Sequence, residues 1–172
     1  MVLLFSNYGP LLFGFVLVWL WFSTSGNKER NRKIVLYALT VMIIALGINK
    51  VIELMLFRPR PFVTYTVHLL SEKSSFDPSF PSNHSTGAFV LAFVLFRCRK
   101  KLGSVLLMLA VCMAISRVFI GVHYPSDVTA GAIIAILATV IVMSQNRYLD
   151  LVYDRIIQVF GKRGNKTIDR DM

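Results

Sequence analysis

Charge is what this sequence has least of. Of its 172 residues only 16% are charged and only nine are acidic, against 55% that are hydrophobic. With a mean hydropathy of +0.62, the chain falls outside the usual range of a soluble domain of this length and reads as an integral membrane protein. Cysteine is scarce as well. Cys98 and Cys112 fall in or beside apolar runs, where a thiol serves as a small hydrophobe, and no metal-type Cys-x-x-Cys spacing occurs. The opening stretch MVLLFSNYGPLLFGFVLVWLWF lacks a basic leader segment and a small-residue cleavage site, so it reads as a retained span. Internal repeats, low-complexity segments and linkers are also missing, and one domain over residues 1–172 is the simplest account.

What the sequence has in plenty is long apolar runs. Crossing a hydrocarbon core of roughly 30 Å takes about 20 helical residues. Runs near 2–23, 34–57, 83–98, 102–120 and 126–145 meet or approach that length, which predicts an all-α polytopic transmembrane bundle of about five spans plus interfacial segments. The connection RPRPFVTYTVHLLSEKSSFDPSFPS, residues 58–82, opens with two Arg-Pro pairs that stop the preceding helix. Its mixed composition suits a segment lying in the interface. In the tail, residues 146–172, Leu149, Val152, Ile156 and Phe160 recur at helical intervals, as in an amphipathic helix along the inner surface or an ordinary solvated one.

A net charge of +10 raises the question of nucleic acid, and the placement of the basic residues answers it. They gather in alternate connections: Lys28, Arg30, Arg32 and Lys33; then Arg97, Arg99, Lys100 and Lys101; then the tail. That is the positive-inside pattern, with the C-terminus cytoplasmic and connections 58–82 and 117–125 outside. Anionic lipid headgroups, not nucleic acid, are the partners it implies.

The costly polar residues collect at the outer ends of the spans. Arg58 and Arg60 follow the second run; Ser82, Asn83 and His84 open the third; Ser116 and Arg117 close the fourth; His123 and Asp127 lead into the fifth. A helical bundle can gather these ends around one pocket. Three guanidiniums suit the oxygens of a phosphate. Ser82 is a candidate N-cap, with the Asn83 and His84 amides opening a helix start that attracts anions. His123 and His84 are the candidates for nucleophile and proton donor. Asp127, four residues past His123 and near one helical turn away, is positioned to accept one imidazole proton and free the other nitrogen. The remaining histidine, His68, reads as an interfacial residue.

This spacing resembles the signatures of the type 2 phosphatidic acid phosphatases. Their Ser-Arg-x5-His-x3-Asp signature is matched by Ser116, Arg117, His123 and Asp127. Their Pro-Ser-Gly-His signature appears as Pro81-Ser82-Asn83-His84, with asparagine for glycine. Of their Lys-x6-Arg-Pro signature, Arg60-Pro61 remains, but Glu53 stands where the lysine belongs. Seven residues return a helix to the same face, whereas Lys50 lies ten before Arg60, so the missing charge falls to Lys50 or to Arg58. Within the family, RPRPFVTYTVHLL, SFPSNHSTGA and SRVFIGVHYPSDV are similar to the bacterial undecaprenyl-diphosphate phosphatases of the bacitracin-resistance type, over residues 34 to 145. Relatives usually carry additional residues before the first span, so a shortened or differently begun N-terminus is expected.

The resemblance implies hydrolysis of a polyprenyl diphosphate lipid at the outer face of a bacterial plasma membrane, recycling the cell-wall carrier lipid. In that scheme His123 forms a phosphohistidine, His84 protonates the leaving lipid phosphate and Asp127 orients His123. Arg60, Arg117, Ser82 and the Asn83 amide hold the phosphate, and no metal or cofactor is implied. Phosphatidic acid or phosphatidylglycerol phosphate is the rival substrate. A lipid-binding transporter or scaffold is the rival outside the enzymes, although it has no use for the histidine and aspartate set.

Overall fold

The structure is a computed structural model and describes residues 2–24, 27–64 and 77–166. Its elements are α1 (Val2–Phe22), α2 (Lys28–Met55), the short α3 (Pro61–Thr64), α4 (Asn83–Cys98), α5 (Lys100–Phe119), α6 (Pro125–Ser144) and α7 (Asn146–Lys166), with no strand among the described residues. The expected position of His68 lies outside them.

Five apolar runs become five helices, but their boundaries shift. α2 begins six residues before the expected start, because Asn27 caps it by accepting the Arg30 N–H at 3.1 Å and the basic residues extend it beyond the apolar run. α2, α5 and α6 are long and apolar enough to cross a membrane, and the described apolar part of α1 spans Tyr8–Phe22. α4 has only 16 residues and occupies the centre of the bundle, packed on α1, α2, α5 and α6. Its residues Ala88–Ala92, Val94 and Leu95 are all buried. The helices around it turn large apolar side chains outward, among them Ile43, Leu54, Phe119 and Ile141. Such exposure is what a bundle presents to lipid rather than to water. The chain is an all-α transmembrane bundle and a membrane protein.

Gly131 sets the distance between α6 and α4. A Cβ there would lie 2.8 Å from Thr86 Oγ1 and 3.0 Å from the Ser82 carbonyl, so the first turn of α4 rests against α6 backbone.

The basic end of the bundle is closed by side chains. Arg30 donates to the Cys98 carbonyl at 3.1 Å, and Arg99 donates to Asn31 Oδ1 at 2.5 Å. Lys33 Nζ lies 2.8 Å from Asp154 Oδ1, and Tyr37 donates to Asp150 Oδ1 at 3.0 Å. These contacts dock α7 on α2. The face it uses differs from the expected one: Tyr153 and Ile157 are buried, with Leu149 and Ile156 half-buried, while Val152 is exposed. The reason is the Tyr153 ring, which meets Tyr37 edge-on at 4.8 Å and rotates the helix toward α2. The Phe160 side chain lies outside the described ones. Neither cysteine is buried; Cys98 is half-buried and Cys112 is exposed on the outer side of α5.

Candidate active site

At the end of the bundle opposite the basic one, the C-terminal end of α2, the chain leading into α4, the first turn of α4, the last turn of α5 and the connection between α5 and α6 surround a cavity of about 220 Å³. Its wall includes Lys50, Arg60, Asn83, His84, Arg117 and His123, together with Glu53 and Asp77. Six of the nine candidate residues therefore share one cavity. Ser82, Arg58 and Asp127 stand outside the wall and hold it from behind.

Burial makes these groups costly and so informative. Arg117 is 1% exposed, His123 4%, Arg60 8% and Asp127 0%. Arg60 Nε donates to the Asp77 carbonyl at 3.2 Å, while Arg60 Nη1 is buried with no hydrogen-bond partner among the described residues. Burial lowers the Arg60 pKa from its ordinary value, with Asp77 opposing the shift. An arginine desolvated with a donor left over is a site prepared for an oxyanion.

His123 sits in the connection between α5 and α6, where Gly121 takes φ 75°, a backbone conformation that side chains disfavour. That turn lets the chain reverse and sets the imidazole into the cavity wall. Its Nδ1 lies 2.8 Å from the Ser79 carbonyl, which can only accept, so Nδ1 carries the proton and Nε2 keeps its lone pair. Burial pushes the His123 pKa below its ordinary value; Asp127 opposes, and the guanidiniums of Arg117 and Arg60 add to the lowering.

Asp127 faces His123 as its spacing suggested, at ion-pair range rather than in a hydrogen bond. Its Oδ2 lies 3.7 Å from His123 Nδ1, beyond a hydrogen bond. The carboxylate accepts instead from the Ser79 hydroxyl and, at 2.8 Å, from the Tyr124 N–H. Its other oxygen takes Arg58 Nη1 at 2.8 Å. The physical reason is that His123 precedes α6, which starts at Pro125, so four residues of sequence are not a helical turn here. Asp127 supports His123 through Ser79, whose hydroxyl it holds and whose carbonyl meets the imidazole. Ser79 was missed by sequence reading, since nothing marks a backbone carbonyl in a loop.

Arg58 is likewise committed elsewhere than expected. It bonds Asp127 and Ser126 Oγ, both at 2.8 Å, and lies 4.0 Å over the Tyr124 ring. Of Arg58 and Lys50, the one on the cavity wall is Lys50, which the helix-face argument disfavoured. That argument assumed a continuous helix, whereas α2 stops at Met55 and the chain reaches Arg60 without helical geometry. Ser82 caps α4 with its hydroxyl at 3.5 Å from the Ser85 N–H, and its own N–H donates to the Asp127 carbonyl at 3.1 Å. It is a buried brace for the helix start.

Between α5 and α6 lies an apolar cleft of about 440 Å³, with Phe89 of α4, Ala114 and Phe119 of α5, and Pro125 and Val128 of α6 in its walls. It exists because α5 and α6 both pack chiefly on α4 rather than on each other.

A helical membrane bundle with this polar cavity at one end of its spans is a lipid phosphatase by architecture, and similarity to known proteins agrees. Residues 34–150 match the PAP2 superfamily, and the chain belongs to that family of phosphatases. It is 33% identical over 161 residues to the undecaprenyl-diphosphatase BcrC of Bacillus subtilis, covering 94% of this chain and 81% of that one. A PAP2-type phosphatidylglycerolphosphate phosphatase of the same organism superposes with a TM-score of 0.59 at 27% identity, covering 83% of this chain and 71% of that one. Aquifex aeolicus LpxE shares the fold at a TM-score of 0.67 and 24% identity, covering 83% of each chain.

Proposed function

We propose that this membrane phosphatase hydrolyses undecaprenyl diphosphate to undecaprenyl phosphate and orthophosphate through a phosphohistidine on His123. The observation that carries the mechanism is the 2.8 Å approach of His123 Nδ1 to the Ser79 carbonyl, which leaves Nε2 as the nitrogen available to the cavity. Nε2 attacks the terminal phosphorus, and the bond to the bridging oxygen breaks. His84, on the same wall, gives that oxygen its proton, so lipid monophosphate departs. His84 then takes a proton from water, whose oxygen displaces the imidazole from phosphorus, and orthophosphate leaves. Arg60, Arg117 and the helix-start amide of Asn83 hold the equatorial oxygens, with Lys50 at the lip.

The substrate reading rests on the similarity to the Bacillus diphosphatase over nearly the whole chain. The apolar cleft between α5 and α6 suits a prenyl chain. The similarity to a phosphatidylglycerolphosphate phosphatase supports the second reading, the same chemistry on a phosphatidyl lipid. Purified protein assayed against undecaprenyl diphosphate, phosphatidylglycerol phosphate and phosphatidic acid decides between them. The expected result is the highest kcat/KM for the diphosphate; a clear preference for either phosphatidyl substrate transfers the protein to the second reading.

The alternating basic connections support an outward-facing cavity and a cytoplasmic C-terminus. In a cysteine-free background, a cysteine at Asp77 is expected to react with an impermeant maleimide on intact cells, and one at Lys101 only after lysis. The reverse labelling would put the cavity inside and remove the role in recycling the outward-facing carrier.

A further inference from the structure

A carboxylate stands in the wall of a cavity built to hold an anion. Glu53 lines it with Lys50, Arg60 and Arg117, and its side chain is only 9% exposed. It cannot swing away freely. Its Oε1 accepts the Asn83 side-chain amide at 2.6 Å, and Asn83 Oδ1 in turn accepts Asn49 Nδ2 at 2.8 Å, from an asparagine with 0% exposure. Its Oε2 faces Lys50 Nζ at 3.4 Å. Asn49 also donates to Thr86 Oγ1 at 2.9 Å, so the whole chain of contacts ties the end of α2 to the first turns of α4. Glu53 and Asn83, the two positions at which the sequence departs from the signatures it resembles, are bonded to one another.

A fixed negative charge at this place does two things. It neutralises the lysine beside it, and it repels whatever anion occupies the cavity, the more strongly the more charge that anion carries. Orthophosphate is the anion that must leave last. Binding energy spent equally on substrate and product does not raise turnover, and a cavity whose three cations faced Asp77 alone would hold its product more tightly. We propose that Glu53 is a specificity-determining residue that limits the anionic charge the cavity retains, weakening orthophosphate binding so that product release does not limit turnover. This rests on reading the cavity as the phosphate site.

The experiment is the inhibition constant of orthophosphate for the full chain purified in detergent. Glu53→Gln keeps an oxygen to accept the Asn83 amide and removes the charge. It is expected to tighten orthophosphate inhibition about tenfold at low salt, with KM and kcat both falling and the effect shrinking as ionic strength rises. Asn83→Gly unpins the carboxylate while leaving its charge, and is expected to move the constant less than about threefold. A merely structural Glu53 would make the two variants alike and insensitive to salt, which overturns the proposal. Where Glu53→Gln does not fold, Glu53→Met serves: it removes the charge with a side chain of similar length, orthophosphate inhibition is expected to tighten at least about threefold at low salt, and no change overturns the proposal. If the unmodified protein is not inhibited by orthophosphate at all, the phosphate-site reading fails and takes this one with it. If it is inhibited, and Arg60→Ala relieves that inhibition while Glu53→Gln stays within about twofold of it, only the role of Glu53 falls.

Discussion

At the basic end of the bundle, Arg30 donates to the Cys98 carbonyl, Arg99 to Asn31, and Lys33 is held by Asp154. At the other end, Arg60 buries Nη1 with no partner among the described residues, and Arg117, His84 and His123 join it around a cavity. Both ends carry arginine in quantity, so abundance alone separates nothing. The difference is in what the guanidiniums touch: at one end they bond a helix-end carbonyl and an asparagine, at the other Arg60 and Arg117 are buried in the wall of a cavity. Cations at span ends are ordinarily anchors, and burial against a cavity is what converts them into a site.

The sharpest way to separate the two ends is to remove the His123 imidazole. His123→Ala is expected to lower phosphate release by roughly 10⁴-fold or more, measured on purified protein that keeps its thermal unfolding midpoint. Near-native release would return this end to the status of the other. Next in size, Arg60→Ala and Arg117→Ala are each expected to cost about 10²- to 10³-fold in kcat/KM, since each removes charge aimed at the transferring phosphoryl group.

A smaller loss, about tenfold to a hundredfold, is expected for Asp127→Asn, which weakens the Ser79 and Arg58 contacts but leaves the Ser79 carbonyl on His123. A loss as large as that of His123→Ala would mean that the carboxylate contacts the imidazole directly during turnover. Acidity gives a finer test. Because the folded chain holds His123 below its ordinary 6.5, the imidazole stays neutral as pH falls through that value. kcat/KM limited by this group is therefore expected to hold through pH 6.5 and decline only in more acidic buffer. The unfolded chain takes that proton first, so this group's contribution to stability falls from about pH 6.5 downward until the folded pKa is passed. A decline centred above 6.5 would contradict the burial of His123. The smallest effect belongs to the basic end: Arg99→Ala is expected to change kcat/KM less than about twofold, its cost appearing as a lower unfolding temperature.

The helices were legible because hydropathy is written along the chain: α4, α5 and α6 fall within two residues of the apolar runs. Arg60, Arg117, His84 and His123 were legible from residue type and spacing together. What escaped depended on backbone geometry. Counting residues brings Asp127 to His123 but not the Ser79 and Tyr124 contacts that hold its carboxylate, and it leaves Lys50 and Arg58 as equals because the irregular chain after Met55 is not written in the spacing. Ser79 acts through its carbonyl, an atom every residue has, so no choice of side chain advertises it. Glu53 was seen as a departure from a pattern, but its bond to Asn83 required three dimensions.

Ser79 belongs to no helix, yet three parts of the molecule meet on it. Its N–H donates to the Arg58 carbonyl at 2.8 Å, its hydroxyl serves Asp127, and its carbonyl receives His123. Packing of the helices alone thus does not complete the support of the His123 imidazole. The loop strand carrying Ser79 has to dock between the end of α2 and the start of α6 before the imidazole has its tautomer.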